Sequence, residues 1–441
     1  MLSRLMSGRR FAPLFWSQFC SALNDNFLKT SLGMLVLYGI GANAAYSPEE
    51  GAKLNTLAGI VFIAPFFFLS ALGGELADKF DKGRIASAIK LAEMPVAALA
   101  AIGFYLHSVP TLFAALLGFG MVGALFGPVK YGLLPEALQQ DELVAGNAMV
   151  EGGTFLAILL GTIGGGIAVT QAKSPELIVT LILALAVVCW LSATLIPRRG
   201  PAAPDIAITR NPLSSTFRLL AELKAEPRMR VGAHICSWFW LVGAVTLSLL
   251  PVMVKGPMGG APAVYTLSLS VFVVGIALGS LLAARASHSR PNLALVPFGA
   301  VLMGLGALVL AALAITVTRP NIDIPVADFL ASKRCWALML SLLMLAMGGG
   351  LFIVPAFAAV QSWAPADRRA RVVAAVNVMN AAYMTAAGAL LALLQVIETP
   401  LGLLFGLLGL ATLGVALLVA RLWGQEGVRD SGRGILQQAS E

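Results

Sequence analysis

The chain has 441 residues, 58% of them hydrophobic and only 12% charged, with a mean hydropathy of +0.86. Soluble domains carry about a quarter charged residues, so this composition excludes a water-soluble fold and makes lipid the solvent. The net charge of +8 does not indicate nucleic acid, because Lys and Arg are scattered over short loops and form no aromatic-interleaved patch.

Apolar runs near the roughly 20 residues needed to cross a bilayer recur along the whole length. They predict spans at 11–40, 54–76, 85–106, 109–134, 145–170, 175–196, 231–255, 262–284, 293–317, 334–360, 372–397 and 400–422. Twelve spans put both termini on one side of the membrane. Alternate loops hold about 21 Lys and Arg on that side and about 6 on the other, so both termini are expected to be cytoplasmic. The expected fold is an all-α membrane protein of two six-helix halves, residues 1–196 and 231–422, with a cytoplasmic linker at 197–230 and a polar tail at 423–441.

Arg4, Arg9 and Arg10 before the first apolar run resemble a signal peptide, but the run contains Asn24, Asp25 and Asn26 and no small-residue cleavage site. It is expected to stay as the first helix. Asp25 falls near its centre, where a carboxylate is costly unless paired or facing a wet cavity. Lys29, one turn on, offers either a structural partner or a second functional charge.

After span two comes Gly73-Gly74-Glu75-Leu76-Ala77-Asp78-Lys79-Phe80-Asp81-Lys82-Gly83-Arg84. This resembles the G-x-L-a-D-x-x-G-R-[KR] pattern of the major facilitator superfamily. Glycines here let helices approach closely, and Asp78 at the membrane boundary needs a cationic or helix-terminus partner. Gly74, Asp78, Gly83 and Arg84 are therefore candidates for a gate, and Arg285 to Asn292 is a degenerate copy in the second half.

Span four ends Phe126-Gly127-Pro128-Val129-Lys130-Tyr131-Gly132, where Gly and Pro are expected to open the backbone around Lys130. In span five Asn147 and Glu151 share a face one turn apart. Lys130 and Glu151 either pair with each other or serve a substrate, and a cation such as Lys130 suits a phosphate. A weak repeat relates Leu125-Phe126 and Asn147-Ala148-Met149 to Leu351-Phe352 and Asn377-Val378-Met379, which adds Asn377 to the candidates.

In the linker, Ser214-Ser215 followed by Phe217, Leu220 and Leu223 reads either as a capped amphipathic segment on the anionic inner leaflet or as a solvated connector. Arg198, Arg199, Arg210, Arg218, Lys224, Arg228 and Arg230 supply its charge. Span seven carries Ser237-Trp238-Phe239-Trp240, read as lipid-facing or interfacial aromatics, and the Gly161–Gly166 and Gly348–Gly350 runs read as close helix packing.

Enzyme chemistry is not expected. Cys20, Cys189, Cys236 and Cys335 show no Cys-x-x-Cys spacing, and no phosphate-binding Gly-rich loop ends in Lys-Ser or Lys-Thr. None of His107, His234 and His288 is followed by Asp five residues later. No metal, ATP or other cofactor is expected.

The chain resembles the bacterial lysophospholipid transporter family. The resemblance is carried by Asn24 to Lys29, Gly127 to Tyr131, Gly146 to Gly161, Ser237 to Trp240 and Arg368 to Asn380. It is most similar to the branch often fused to acyltransferase and acyl-ACP synthetase domains. The resemblance implies a flippase in the bacterial inner membrane that moves lysophosphatidylethanolamine and related lysolipids from outer to inner leaflet, where a partner acyltransferase restores the second chain. It would make Asp25 and Lys130 central to a pathway that also includes Asn26, Tyr131, Asn147, Glu151 and Asn377. One departure is Ser248 in span seven, where some members carry a basic residue. Two other readings fit the scaffold: a proton-coupled exporter of drugs or metabolites, and a non-transporting membrane partner of a lipid acyltransferase.

Overall fold

The computed structural model describes residues 2–38, 48–171, 175–209, 211–287, 291–316 and 324–438. The predicted span ends at 39–40 and 317, Arg210 of the linker and 439–441 of the tail lie outside the described residues. The helices are α1 (Leu2–Ser7), α2 (Ala12–Tyr38), α3 (Pro48–Lys79), α4 (Lys82–Tyr105), α5 (Val109–Ala137), α6 (Leu143–Gln171), α7 (Glu176–Thr194) and α8 (Pro212–Ala225). They continue as α9 (Pro227–Lys255), α10 (Pro262–Ala286), α11 (Leu295–Thr316), α12 (Val326–Leu330), α13 (Lys333–Trp363), α14 (Arg369–Val396) and α15 (Leu401–Gln438).

Eleven of the described helices are long and apolar enough to cross a membrane. α2, at 27 residues, has the length, but its polar run from Asn24 to Lys29 keeps it below the apolarity of the others. Several helices outlast their predicted spans, since a helix does not stop where its apolar stretch does. α15 runs on to Gln438 through residues read as a polar tail, with no proline after Pro400 to end it.

The chain forms two compact units, Met1–Ser237 with Val360–Tyr383, and Trp238–Ala359 with Met384–Glu441. In the first unit α2 packs on α6 and α7, α4 on α5 and α7, and α3 on α5. Phe27, Leu28, Leu32, Phe104, Leu112, Phe119 and Ile182 are buried together at one end of it. Closeness between α2 and α6 depends on glycine: a Cβ at Gly161 would lie 2.5 Å from the Leu23 carbonyl oxygen, and one at Gly165 2.6 Å from that of Phe27.

Two expectations change here. α5 is one unbroken helix through Gly127, Pro128, Gly132 and Pro135, so the backbone around Lys130 is not opened. Its glycines make room for neighbours instead: Asn377 Nδ2 sits over Gly127, and the Lys82 stem and Ala370 over Gly132. The linker does contain a helix, but α8 is capped by Asn211, whose side chain accepts from the Leu213 and Ser214 amides, rather than by Ser214. Its buried face is Ser215, Thr216, Leu219 and Leu223, which leaves Phe217 outside.

In the second unit α11 lies along α15 with Gly304 and Gly409 facing, and Gly348 and Gly350 of α13 meet Gly299 and the Ile276–Ser280 turn of α10. Phe239 is buried against Gly349, and Trp238 Nε1 donates to Thr412 Oγ1 at 3.3 Å. Phe239 therefore serves packing, not the lipid-facing or interfacial place expected of it, while Trp238 is only partly buried.

Candidate functional site

Charged residues gather inside the first unit on α2, α4, α5 and α6. Asp25 is partly accessible and forms no hydrogen bond or ion pair among the described residues. The charges acting on it are Glu93, Lys90, Lys29 and Lys130. Lys29 does not close an ion pair with it; its ammonium lies 5.9 Å from the centre of the Phe62 ring. Asn24 is buried and donates to the Ile182 carbonyl at 3.2 Å, while Asn26 donates back to Ala22 at 2.8 Å. Of the three consecutive polar residues, Asp25 is the one whose side chain makes no hydrogen bond among the described residues, and Asn24 keeps its Oδ1 unpartnered.

Lys130 is likewise partly accessible, with its ammonium 4.6 Å from the centre of the Tyr131 ring and no carboxylate within ion-pair distance among the described residues. The pairing of Lys130 with Glu151 is not made. Glu151 instead accepts from the Tyr131 hydroxyl at 2.7 Å through Oε1, and its buried Oε2 has no hydrogen-bond partner among the described residues. Asp25 and Lys130 are thus an acid and a base that are not tied up in an ion pair among the described residues.

Beneath them lies a pair that motif reading passed over. Lys90 and Glu93 on α4 are both 0% exposed and joined at 2.7 Å. Lys90 also donates to Ser21 Oγ of α2 at 2.6 Å and stands 4.1 Å from the centre of the Phe126 ring of α5. It ties together the helices that carry Asp25 and Lys130. Glu93 Oε1 is buried without a partner. The signal was present, since two charges inside an apolar run call for an account whether or not a motif contains them.

A second constellation forms where α3, α4, α5 and α14 end. Asp78 is fully buried and accepts from the Ala370 and Arg371 amides, each at 3.2 Å, in the first turn of α14. Arg371 Nε adds a contact at 3.3 Å and Lys82 one at 3.8 Å. A carboxylate at a helix N-terminus is held by both dipole and cation. Gly74 permits this approach, because a Cβ there would lie 3.0 Å from the Arg371 Cα. Lys82 completes its charge balance with Glu136 at 2.7 Å. Gly83 is pressed against the carbonyls of Ile196 and Pro197, whereas Arg84 is exposed and contributes its amide to Asp81 at 2.9 Å.

Asp81 caps α4 and also accepts from the Arg199 and Gly200 amides, both at 2.7 Å. Burial pushes its carboxyl upward, but the three amides and the Arg84 charge outweigh this and hold it below the usual carboxylate range. Glu75, another buried member of the motif, accepts from Ser215 at 2.6 Å, Arg218 at 2.7 Å and the Thr209 amide at 2.8 Å, anchoring the linker.

Asn147 does not sit with Asp25 and Lys130 as an available polar group. It is fully buried and exchanges two hydrogen bonds with Gln361, at 2.9 and 3.1 Å, besides donating to the Leu143 carbonyl. Gln361 was not among the candidates, and no local pattern marks it. Asn377 is partly accessible, with its amide against Gly127. Among the described residues no group of three His, Cys, Asp or Glu could hold a metal ion.

The family model described as Major Facilitator Superfamily matches residues 14–325. The lysophospholipid transporter LplT of Yersinia pestis (strain Pestoides F) is 30% identical over 359 residues, covering 80% of this chain and 78% of its own length, and that of Yersinia pseudotuberculosis serotype O:3 (strain YPIII) matches equally. Among solved structures, the human organic anion transporter MFSD10 superposes with a TM-score of 0.74 at 15% identity, covering 93% of this chain and 98% of its own. A bacterial homologue of the iron transporter ferroportin, in an outward-facing state, gives 0.68 at 14% identity, covering 95% and 100%. At such identities these two speak for the fold alone.

Proposed function

Because this chain belongs to the lysophospholipid transporter family of the major facilitator superfamily, a family of membrane transporters and not of enzymes, we propose that it moves lysophospholipids from the outer to the inner leaflet. The observation that carries this reading is an acid and a base, Asp25 and Lys130, that are free of ion pairs among the described residues. A zwitterionic head group such as that of lysophosphatidylethanolamine offers Lys130 a phosphate and Asp25 an ammonium. The single acyl chain stays against apolar helix surface or lipid, so only the head group needs a polar path.

In this reading α2 is the twelfth span, its polar run sheltered by its neighbours, and both termini are cytoplasmic in a bacterial inner membrane. The chain divides functionally into halves 1–196 and 231–422 joined by the linker, and transport follows alternating access between them. Asn26, Tyr131, Glu151 and Asn377 line or support the path. Asp78 with Gly74, Gly83 and Arg84 acts as the gate, and Asn147 contributes through its bond to Gln361. An acyltransferase or acyl-ACP synthetase acting on the inner face consumes the product, and acylation maintains the gradient.

The test is uptake of labelled lysophosphatidylethanolamine by spheroplasts lacking their own transporter but holding an active acyltransferase. Uptake by the unmodified chain that is lost in Asp25→Ala and Lys130→Ala at matched expression supports the reading. No uptake by the unmodified chain sinks it and favours an exporter of non-lipid substrates.

A further inference from the structure

The contacts of α8 fix where it lies along α3. Thr216 Oγ1 donates to the Phe67 carbonyl at 2.9 Å, and Phe67 belongs to the apolar span Leu57–Lys79. Along the helix axis Phe67 is roughly 18 Å short of Lys79, well inside the span. Ser215 and Arg218 meet Glu75, nearer its end. On the opposite edge of α8, Leu213 and Phe217 are 48% and 69% exposed, and Phe68 on α3 is 46% exposed. Apolar side chains uncovered at that depth meet acyl chains rather than water. Lys224 of the same helix and Arg228 just beyond it are exposed and basic, and Arg218, paired with Glu75 at 2.7 Å, keeps half of its side chain exposed. That combination suits anionic head groups.

The other side of α8 reaches the gate. Glu222 lies 3.9 Å from Arg218 and 3.7 Å from Arg371. Arg371 is the same guanidinium that holds Asp78 at 3.3 Å. A continuous chain of charges therefore runs from the head-group side of α8 to the buried carboxylate at the start of α14.

We propose that α8 is a lipid-docking element: its Leu213–Phe217 edge inserts into the leaflet, its basic residues bind anionic phospholipid, and the Glu222–Arg371 contact transmits this seating to Asp78. Anionic lipid then keeps Arg371 in place and the Asp78 contact engaged. The proposal does not depend on which substrate the transporter carries.

The experiment uses the full chain in vesicles. The four native cysteines are buried, and all four are replaced by Ala in every variant so that the introduced thiol is the one that reacts. A fluorophore on Phe217→Cys should be strongly quenched when brominated phosphatidylcholine replaces the ordinary lipid; an unquenched probe, or one shielded only when a protein partner is added, overturns the proposal. A thiol at the buried position of Ala370→Cys should react with a water-soluble maleimide several-fold more slowly when phosphatidylglycerol is included. That dependence should vanish in Glu222→Gln and in the Leu213→Ser/Phe217→Ser double variant. A rate indifferent to phosphatidylglycerol in the chain carrying only Ala370→Cys refutes the coupling.

Discussion

Replacing Lys90 by Met tests whether the buried pair on α4 behaves as an electrostatic unit. Lys90 is fully enclosed, bonded to Glu93 at 2.7 Å and Ser21 at 2.6 Å, and set 4.1 Å from the Phe126 ring centre. Its loss leaves Glu93 with two unpartnered oxygens in a site without water access, a situation that costs about 3–5 kcal/mol. Replacing both residues, Lys90→Met with Glu93→Leu, removes that charge and leaves chiefly the Ser21 hydroxyl without a partner, for about 1–3 kcal/mol. The double variant should therefore be more stable than Lys90→Met by about 2 kcal/mol, with Glu93→Leu alone also costly because it strands the ammonium. The four proteins are compared by denaturant-induced unfolding in detergent micelles as a double-mutant cycle. Additive costs, with the double variant the least stable of the set, would refute the reasoning.

The amide pair gives a second cycle. Asn147→Ala and Gln361→Ala should each cost about 1–3 kcal/mol and the double variant little more than either, because each single change strands the other's buried amide. Gly161→Val should destabilise the fold and lower expression, since its Cβ would fall 2.5 Å from the Leu23 carbonyl oxygen; a Tm equal to that of the unmodified chain would contradict the close α2–α6 approach. Asp81 should matter only in acid. Its folded carboxyl titrates below its unfolded value of about 3.9, so its stabilisation is fully present above that value and is lost as pH falls through the folded one. Asp81→Asn should flatten the decline in Tm below about pH 4 and leave the slope near neutrality unchanged.

The spans were legible because length and apolarity decide them locally, and the need of Asp78 for a partner was legible because a glycine-spaced motif at a membrane boundary brings a carboxylate up against a neighbouring helix. Asp25 and Lys130 stood out as single charges in apolar runs. Lys90 and Glu93 satisfy the same criterion but belong to no motif, and their pairing depends on the fold that buries them together. Gln361 is different in kind: a lone amide inside α13 acquires meaning only when the fold brings it to Asn147, 214 positions away in the chain. The cap of α8 shows a local competition, in which Asn211 followed by Pro212 starts the helix before the serines can. Continuity of α5 across its prolines depends on neighbouring helices, which no window of sequence contains.

The interior charges also have an electrical consequence. Asp25, Glu93 and Glu151 face Lys29, Lys90 and Lys130, three of each sign on four helices. With all six ionised their sum is zero, so in the alternating access proposed above an empty carrier that moves them together through the same part of the field moves no net charge on them. A membrane potential does work of about 2.3 kcal/mol per elementary charge per 100 mV, and on this balanced set that work cancels. The same holds when a zwitterion rides along. A singly anionic cargo would break the balance, and its flux should then bend with voltage while that of the zwitterion stays flat.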